Sequence, residues 1–271
     1  MTKSWSRALI VLLIGFAPVL AQPQCARPLQ IPVAPIGFAV TVVGQQVGGI
    51  YPDLLRVEAA KAGCTVEFQV VPRSRQEMLF EIGLADLLIP ARRSARRDEY
   101  GIFVPMILSR AELLWMQPRS LTVHSLAELL DHRELRVGVV RGYDYDASYQ
   151  SLLKQLLAQS RLTMTADPVS LARMLDTGAI DLAVVTPTAV TGALRGDSKW
   201  GHLIERLRSE PVEELSWAES GAYVARHSSL NAADRQRVRA MLQNIDRSGA
   251  AWREFQHYYP ERNLSDSVRA R

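Results

Sequence analysis

One order of elements occurs twice along this chain, and that recurrence restricts the possible folds more than any other feature. Asp53–Lys61 is amphipathic, with Pro52 beside its start and Gly63 placed to stop it, so it predicts a helix. Val66–Val71 alternates and is rich in branched side chains, predicting a strand ended by Pro72. Glu77–Ile82 then predicts a helix capped by Gly83, and Ala85–Ile89 a strand. The pattern restarts with a strand at Leu135–Val140, helices at Tyr145–Gln159 and Ser170–Asp176, and a strand at Ile180–Val185. Two consecutive β-α-β-α-β units imply an α/β protein of two doubly wound lobes. Two apolar runs, Ala111–Met116 before Pro118 and Ser220–Ala225 after Trp217, are expected to be the two crossings of a hinge. This places residues 22–113 and 218–271 in lobe 1 and residues 114–217 in lobe 2. In the tail, a long helix at Asn231–Arg247, a Ser248-Gly249 cap and an aromatic helix at Trp252–Tyr259 should pack back on lobe 1. The chain beyond Pro260 is expected to fray.

Composition closes off several alternatives. With 48% hydrophobic and 22% charged residues in 271, the chain is neither disordered, collagenous nor coiled coil. Its net charge is +4, and no segment is a polycation, so nucleic acid is not an expected partner. Lys3 and Arg7 precede an apolar run, Ala8–Leu20, that ends in Val19-Leu20-Ala21, the form of a cleaved secretory signal over residues 1–21. The run is too short for a membrane span, and Gln22-Pro23-Gln24 before Cys25 does not suit a lipobox. Export, with a periplasmic mature protein, is the expectation, and it leaves thiols free to oxidise. Cys25 and Cys64 each precede a strand, and strands joined by a right-handed crossover would put both cysteines at one sheet edge, predicting a Cys25–Cys64 disulfide. The five histidines show no ligand spacing, so neither a metal nor a cofactor is expected.

Several short motifs, in order, resemble the extracellular solute-binding proteins of family 3, the type II periplasmic binding proteins of polar amino acid importers. They are Gly49-Ile50-Tyr51-Pro52-Asp53-Leu54-Leu55, Gly83-Leu84-Ala85-Asp86-Leu87-Leu88, Ser94-Ala95-Arg96-Arg97 followed by Phe103-Val104-Pro105, Val137-Gly138-Val139-Val140-Arg141-Gly142, Gly178-Ala179-Ile180-Asp181-Leu182-Ala183, and Ser248-Gly249 with Trp252 and Phe255. The resemblance implies that Arg97 grips a ligand carboxylate as a bidentate fork and that Ser94 adds a hydrogen bond. Arg92, Arg93 and Arg96 read instead as a solvated charge run. Arg75, just after the second strand, would be a second anion contact at the carboxyl end of the sheet. In lobe 2, Gly142 allows close approach of a ligand, and Tyr143 and Asp144 stand where the family often has small hydroxyl residues. Asp144 could equally cap the following helix. Thr186 stands where amino-acid binders of the family place an aspartate for the ligand ammonium, which biases the site away from simple α-amino acids. Tyr51, Trp115 and Trp217 are assigned to core packing or hinge support.

The expected activity is non-catalytic: a monomer captures a small anionic or zwitterionic solute, an amino acid or related organic acid, and hands it to an ABC importer permease. Two alternatives share the fold. A periplasmic dehydratase of the cyclohexadienyl type needs a positioned acid in the cleft, where the chain has Thr186. A detached ligand-sensing module is the other.

Overall fold

The computed structural model of the protein describes residues 24–119, 121, 123–259 and 267–271. The expected signal segment, residues 1–21, lies outside the described residues. From the amino end, β1 (Leu29–Val33) leads into a hairpin, β2 (Thr41–Val43) and β3 (Gln46–Gly48), and then into α1 (Ile50–Lys61). Gly63, at φ +70°, turns the chain out of that helix, and β4 (Val66–Val70) returns parallel to β1 with Val66 opposite Leu29. The Cys25–Cys64 disulfide closes this edge as expected, with the two Cα atoms 4.9 Å apart. Next come α2 (Arg73–Glu81), β5 (Leu87–Arg92), α3 (Ala95–Tyr100) and β6 (Gly101–Ser109). The Asp86 N–H donates to the Gln30 carbonyl at 2.9 Å, which sets the start of β5 beside β1.

Lobe 2 contains β7 (Glu112–Met116), α4 (Leu126–Asp131), β8 (Val137–Val140), α5 (Ala147–Ala158), β9 (Leu162–Thr165), α6 (Pro168–Asp176), β10 (Leu182–Val185), α7 (Pro187–Arg195), a 3-10 turn at Gly201–Arg206, and β11 (Leu207–Glu210). Its five-stranded sheet has the order β11-β7-β10-β8-β9, with β10, β8 and β9 parallel and the other pairings antiparallel. The chain then returns through β12 (Ala218–Ala225), α8 (Ala232–Ser248), α9 (Ala250–Tyr258) and β13 (Val268–Arg269) to complete a lobe 1 sheet of order β13-β6-β12-β5. Leu242 and Ile245 of α8 and Phe255 of α9 enter the same core as Leu29, Ile31 and Leu55.

Four expectations need correction. The two strands assigned to the hinge are full sheet members: β7 pairs with β10 and β11, and β12 with β5 and β6. A strand hydrogen-bonded on both edges cannot flex as a hinge, so the crossings are the short connectors 110–111 and 211–217. The strand expected to stop at Ile89 runs on to Arg92 with all six residues buried, because it pairs with β12 as far as Ser220 opposite Arg92. Helix α2 begins at Arg73 directly after Pro72, four residues earlier than its apolar pattern indicates. The tail does not fray throughout: Val268, 1% exposed, pairs with Ser109 of β6, while residues 260–266 lie outside the described set.

Candidate functional site

A cleft lies between the lobes, at the carboxyl ends of β5 and β10. Lobe 1 contributes Arg73, Arg92 and Arg97, and lobe 2 contributes Tyr143, Asp144, Tyr145 and Thr186.

The extension of β5 brings Arg92 to the cleft. Its side chain is buried, the residue being only 6% exposed, and its Nε and Nη1 have no hydrogen-bond partner among the described residues. Nη2 reaches the Ser216 carbonyl at 3.4 Å, and the guanidinium lies 5.1 Å from the centre of the Tyr145 ring. Burial pushes its pKa down, and the nearby carboxylates of Asp146 and Asp144 offset only part of that cost. A buried cation with bare donors is a site lacking an acceptor.

Arg97 also faces the cleft, with three of its five N–H donors engaged inside the protein. Nε and Nη2 donate to the two carboxylate oxygens of Glu77 at 3.1 and 2.7 Å, and Nη1 donates to the Arg92 carbonyl at 2.9 Å. Arg73 donates Nη2 to the same carboxylate at 2.8 Å, and Nη1 to Gln76 and the Pro90 carbonyl. Burial alone would raise the Glu77 pKa, yet the two guanidiniums outweigh it and hold the carboxyl below its ordinary value. Arg97 is thus braced by Glu77 at the cleft wall, and beside it Arg92, which the charge run Arg92–Arg97 disguised, lines the cleft with Nε and Nη1 unpartnered among the described residues. Ser94 caps α3, its hydroxyl accepting the Arg97 N–H at 3.4 Å, and is not among the cleft-lining residues. Arg75 is exposed on α2 and also lies off the cleft; the start of the helix at Arg73 turns that residue inward in its place.

In lobe 2, Gly142 has φ +81°, and a Cβ there would stand 3.0 Å from Arg73 Cγ and 3.1 Å from the Ser74 nitrogen, so glycine lets the lobes meet. Tyr143 lines the cleft with a buried hydroxyl that lacks a partner. The cap of α5 is Asp146, which accepts the Tyr149 N–H at 2.8 Å. Asp144 is left facing the cleft, where it accepts from Gln150 Nε2 at 2.7 Å. The Thr186 N–H donates to the Tyr145 hydroxyl at 2.9 Å, and the Thr186 hydroxyl is 3.4 Å from the same oxygen. Tyr145 was not singled out by its sequence, because a buried aromatic in a loop before a helix has no periodic signature. Tyr51 lines the cleft as well as the lobe 1 core, whereas Trp217 lies under Arg110 and Arg269.

A second bridge ties the lobes at Tyr259. The Tyr259 hydroxyl donates to the Thr188 carbonyl at 2.8 Å and accepts the Phe38 N–H at 3.3 Å. Gly192 of α7 packs beneath it, its missing Cβ falling 2.1 Å from that hydroxyl oxygen.

No protein-family profile matches the chain, and no curated protein matches it. Solved structures do. A histidine kinase sensor domain with similarity to periplasmic binding proteins superposes with a TM-score of 0.68 at 18% identity, over 86% of this chain and 96% of that one. The arginine-, lysine-, histidine-binding protein ArtJ from Geobacillus stearothermophilus gives 0.68 at 15% identity, over 89% and 98% of the two chains. The amino acid ABC transporter substrate-binding protein AbpA from Streptococcus pneumoniae, bound to L-arginine, gives 0.65 at 18% identity, over 85% and 94%. Likeness of this degree is likeness of fold, and the chain has the two-lobed α/β fold of the type II periplasmic binding proteins.

Proposed function

We propose that the protein is a non-catalytic periplasmic binder that closes its lobes over a small carboxylate-bearing solute and delivers it to an ABC importer. The observation that carries this reading is Arg92, a buried guanidinium in the interlobe cleft whose Nε and Nη1 have no partner among the described residues. A carboxylate oxygen supplies the charged acceptor that a bare guanidinium N–H lacks. Substrate-binding proteins of amino acid ABC transporters share the fold, which supports the importer as partner. A dehydratase would need an acid positioned to protonate a leaving group. The carboxylate lining the cleft, Asp144, is half-exposed and held by Gln150, and β10 ends in Thr186, so binding is favoured over catalysis. The likeness to a kinase sensor domain supports a second use of the same capture, reporting to a receptor; a kinase gene beside this one, in place of permease and ATPase genes, would select it.

The test is a thermal-shift panel of small carboxylates on the wild type and Arg92→Met. A bound carboxylate at 100 times its Kd should stabilise the wild type by about 2.7 kcal/mol and leave the variant unmoved. Without ligand, Arg92→Met should be more stable than the wild type by about 1 to 3 kcal/mol, because a buried cation with unmet donors is replaced by an apolar chain of similar length. Equal shifts in both proteins would sink the assignment.

A further inference from the structure

The chain crosses between the lobes at 110–111 and 211–217, and packing narrows both crossings. Ala111, Val212 and Leu215 are buried in the lobe 2 core, while Ser109 and Ala218 are paired with each other in the lobe 1 sheet. A rotation of one lobe against the other must therefore be absorbed at Arg110 in the first crossing and at Ser216-Trp217 in the second, since a hinge is a few residues that take up the change in φ and ψ.

The segment around β13 holds both places. Val268 pairs with Ser109, and the Arg110 N–H donates to the Ser267 carbonyl at 3.0 Å, so the first crossing is bonded to this segment through its own backbone. At the second crossing, the Arg269 guanidinium lies 4.2 Å from the centre of the Trp217 ring and the Arg110 guanidinium 4.8 Å from it. The ring face attracts both cations, which links the two crossings to each other and to β13. Arg110 Nε also stands 3.4 Å from Glu112 Oε1 at the start of β7, in lobe 2. The segment itself is fixed to lobe 1. Ser267 and Val268 are buried, Val268 joins the core of Leu29 and Ile31, and Arg271 donates to Glu219 of β12 at 2.9 Å and to Asp246 of α8 at 3.0 Å. A strand of two residues adds little to a sheet that β5, β6 and β12 already form; what it adds lies at the crossings.

We propose that residues 267–271 form a strap across the hinge, and that the contact of Arg269 with Trp217 limits how far the lobes swing apart. The strap acts without a solute, so it is independent of what the cleft captures. The test compares the wild type with Arg269→Met, which keeps a stem of similar length but loses the cation, and with Arg269→Lys, which keeps a cation over the ring. Circular dichroism confirms that each protein folds. Spin labels at Val57→Cys and Leu157→Cys, both exposed, one on α1 and one on α5, report the distance between the lobes by double electron–electron resonance, without reductant so that the Cys25–Cys64 bond stays intact. Arg269→Met should shift the distribution to longer distances and broaden it, and Arg269→Lys should stay close to the wild type. Hydrogen exchange gives a local reading: in Arg269→Met the amides of Arg110 and Trp217 should exchange about 2- to 5-fold faster, the range that an exposed cation–aromatic contact holds back. A lowered melting temperature with an unchanged distance distribution would overturn the proposal, since β13 would then support lobe 1 alone. A lysine variant as open as the methionine variant would overturn the role given to the cation over Trp217.

Discussion

Glu77 is the carboxylate that Arg73 and Arg97 share, with Glu77 and both guanidiniums buried. Replacing it by glutamine leaves two buried cations facing a neutral amide, and the expected loss is about 3 to 5 kcal/mol of stability by urea denaturation. The same carboxyl shapes the response to acid. Its folded pKa is depressed, so its contribution is fully present above the ordinary glutamate value, about 4.3, and is lost as pH falls through the lower folded value. Stability measured from pH 7 downward should therefore drop in the wild type below about pH 4, and Glu77→Gln should flatten that drop. If the two acid limbs coincide, Glu77 is not the group being titrated. Glu77 also sets Arg97 apart from its neighbours in the charge run. The sequence shows six residues, Arg92–Arg97, with four guanidiniums, and nothing in that string says which one meets a carboxylate twenty positions away in a helix.

Elements were legible where periodicity and punctuation agreed. The Pro52–Gly63 frame of α1 and the alternating strand after Cys64 are examples, and together they led to the disulfide. They were illegible where chemistry broke the pattern. Pro90 and Arg92 interrupt an apolar strand as read along the chain, yet β5 continues through both because β12 supplies its hydrogen-bonded partner. Arg73-Ser74-Arg75-Gln76 looks like a polar loop, yet it is the first turn of α2, with Arg73 and Gln76 turned inward. Both failures fell at the carboxyl ends of lobe 1 strands, which is why the ligand-facing side chains were harder to place than the fold. The Cys25–Cys64 bond joins residues 39 positions apart at the open edge of β1 and β4. Cys25→Ser with Cys64→Ser, or reduction, should cost about 2 to 4 kcal/mol and lower the melting temperature without changing the far-ultraviolet spectrum of the folded state. No shift on adding reductant would show that this edge holds without it.

At the scale of the whole molecule, the lobes meet at two places, through Gly142 against Arg73 and Ser74, and through Thr188 and Gly192 against Tyr259 and Phe38. These contacts join the two lobes directly, so Gly192→Val, which collides with the Tyr259 hydroxyl, should shift the unliganded protein toward an open form. Small-angle scattering should register a larger radius of gyration for the variant, and its apparent solute affinity should fall by the fraction of closed molecules lost. An unchanged radius would mean that the second bridge does not govern the equilibrium. The placement of lobe 2 has a further consequence, for the route by which the chain folds. All of lobe 2 is spliced between β6 and β12, which lie side by side in one ladder with Ala218 opposite Ser109. Pairing those strands while residues 110–217 are still a random coil means closing a very long loop, an entropic penalty that grows with the logarithm of loop length. Once lobe 2 has formed its own sheet, β7 and β11 hold its two ends next to each other, since Glu210 pairs opposite Leu113. Prior folding of the inserted lobe would therefore bring β6 and β12 together and lower that penalty.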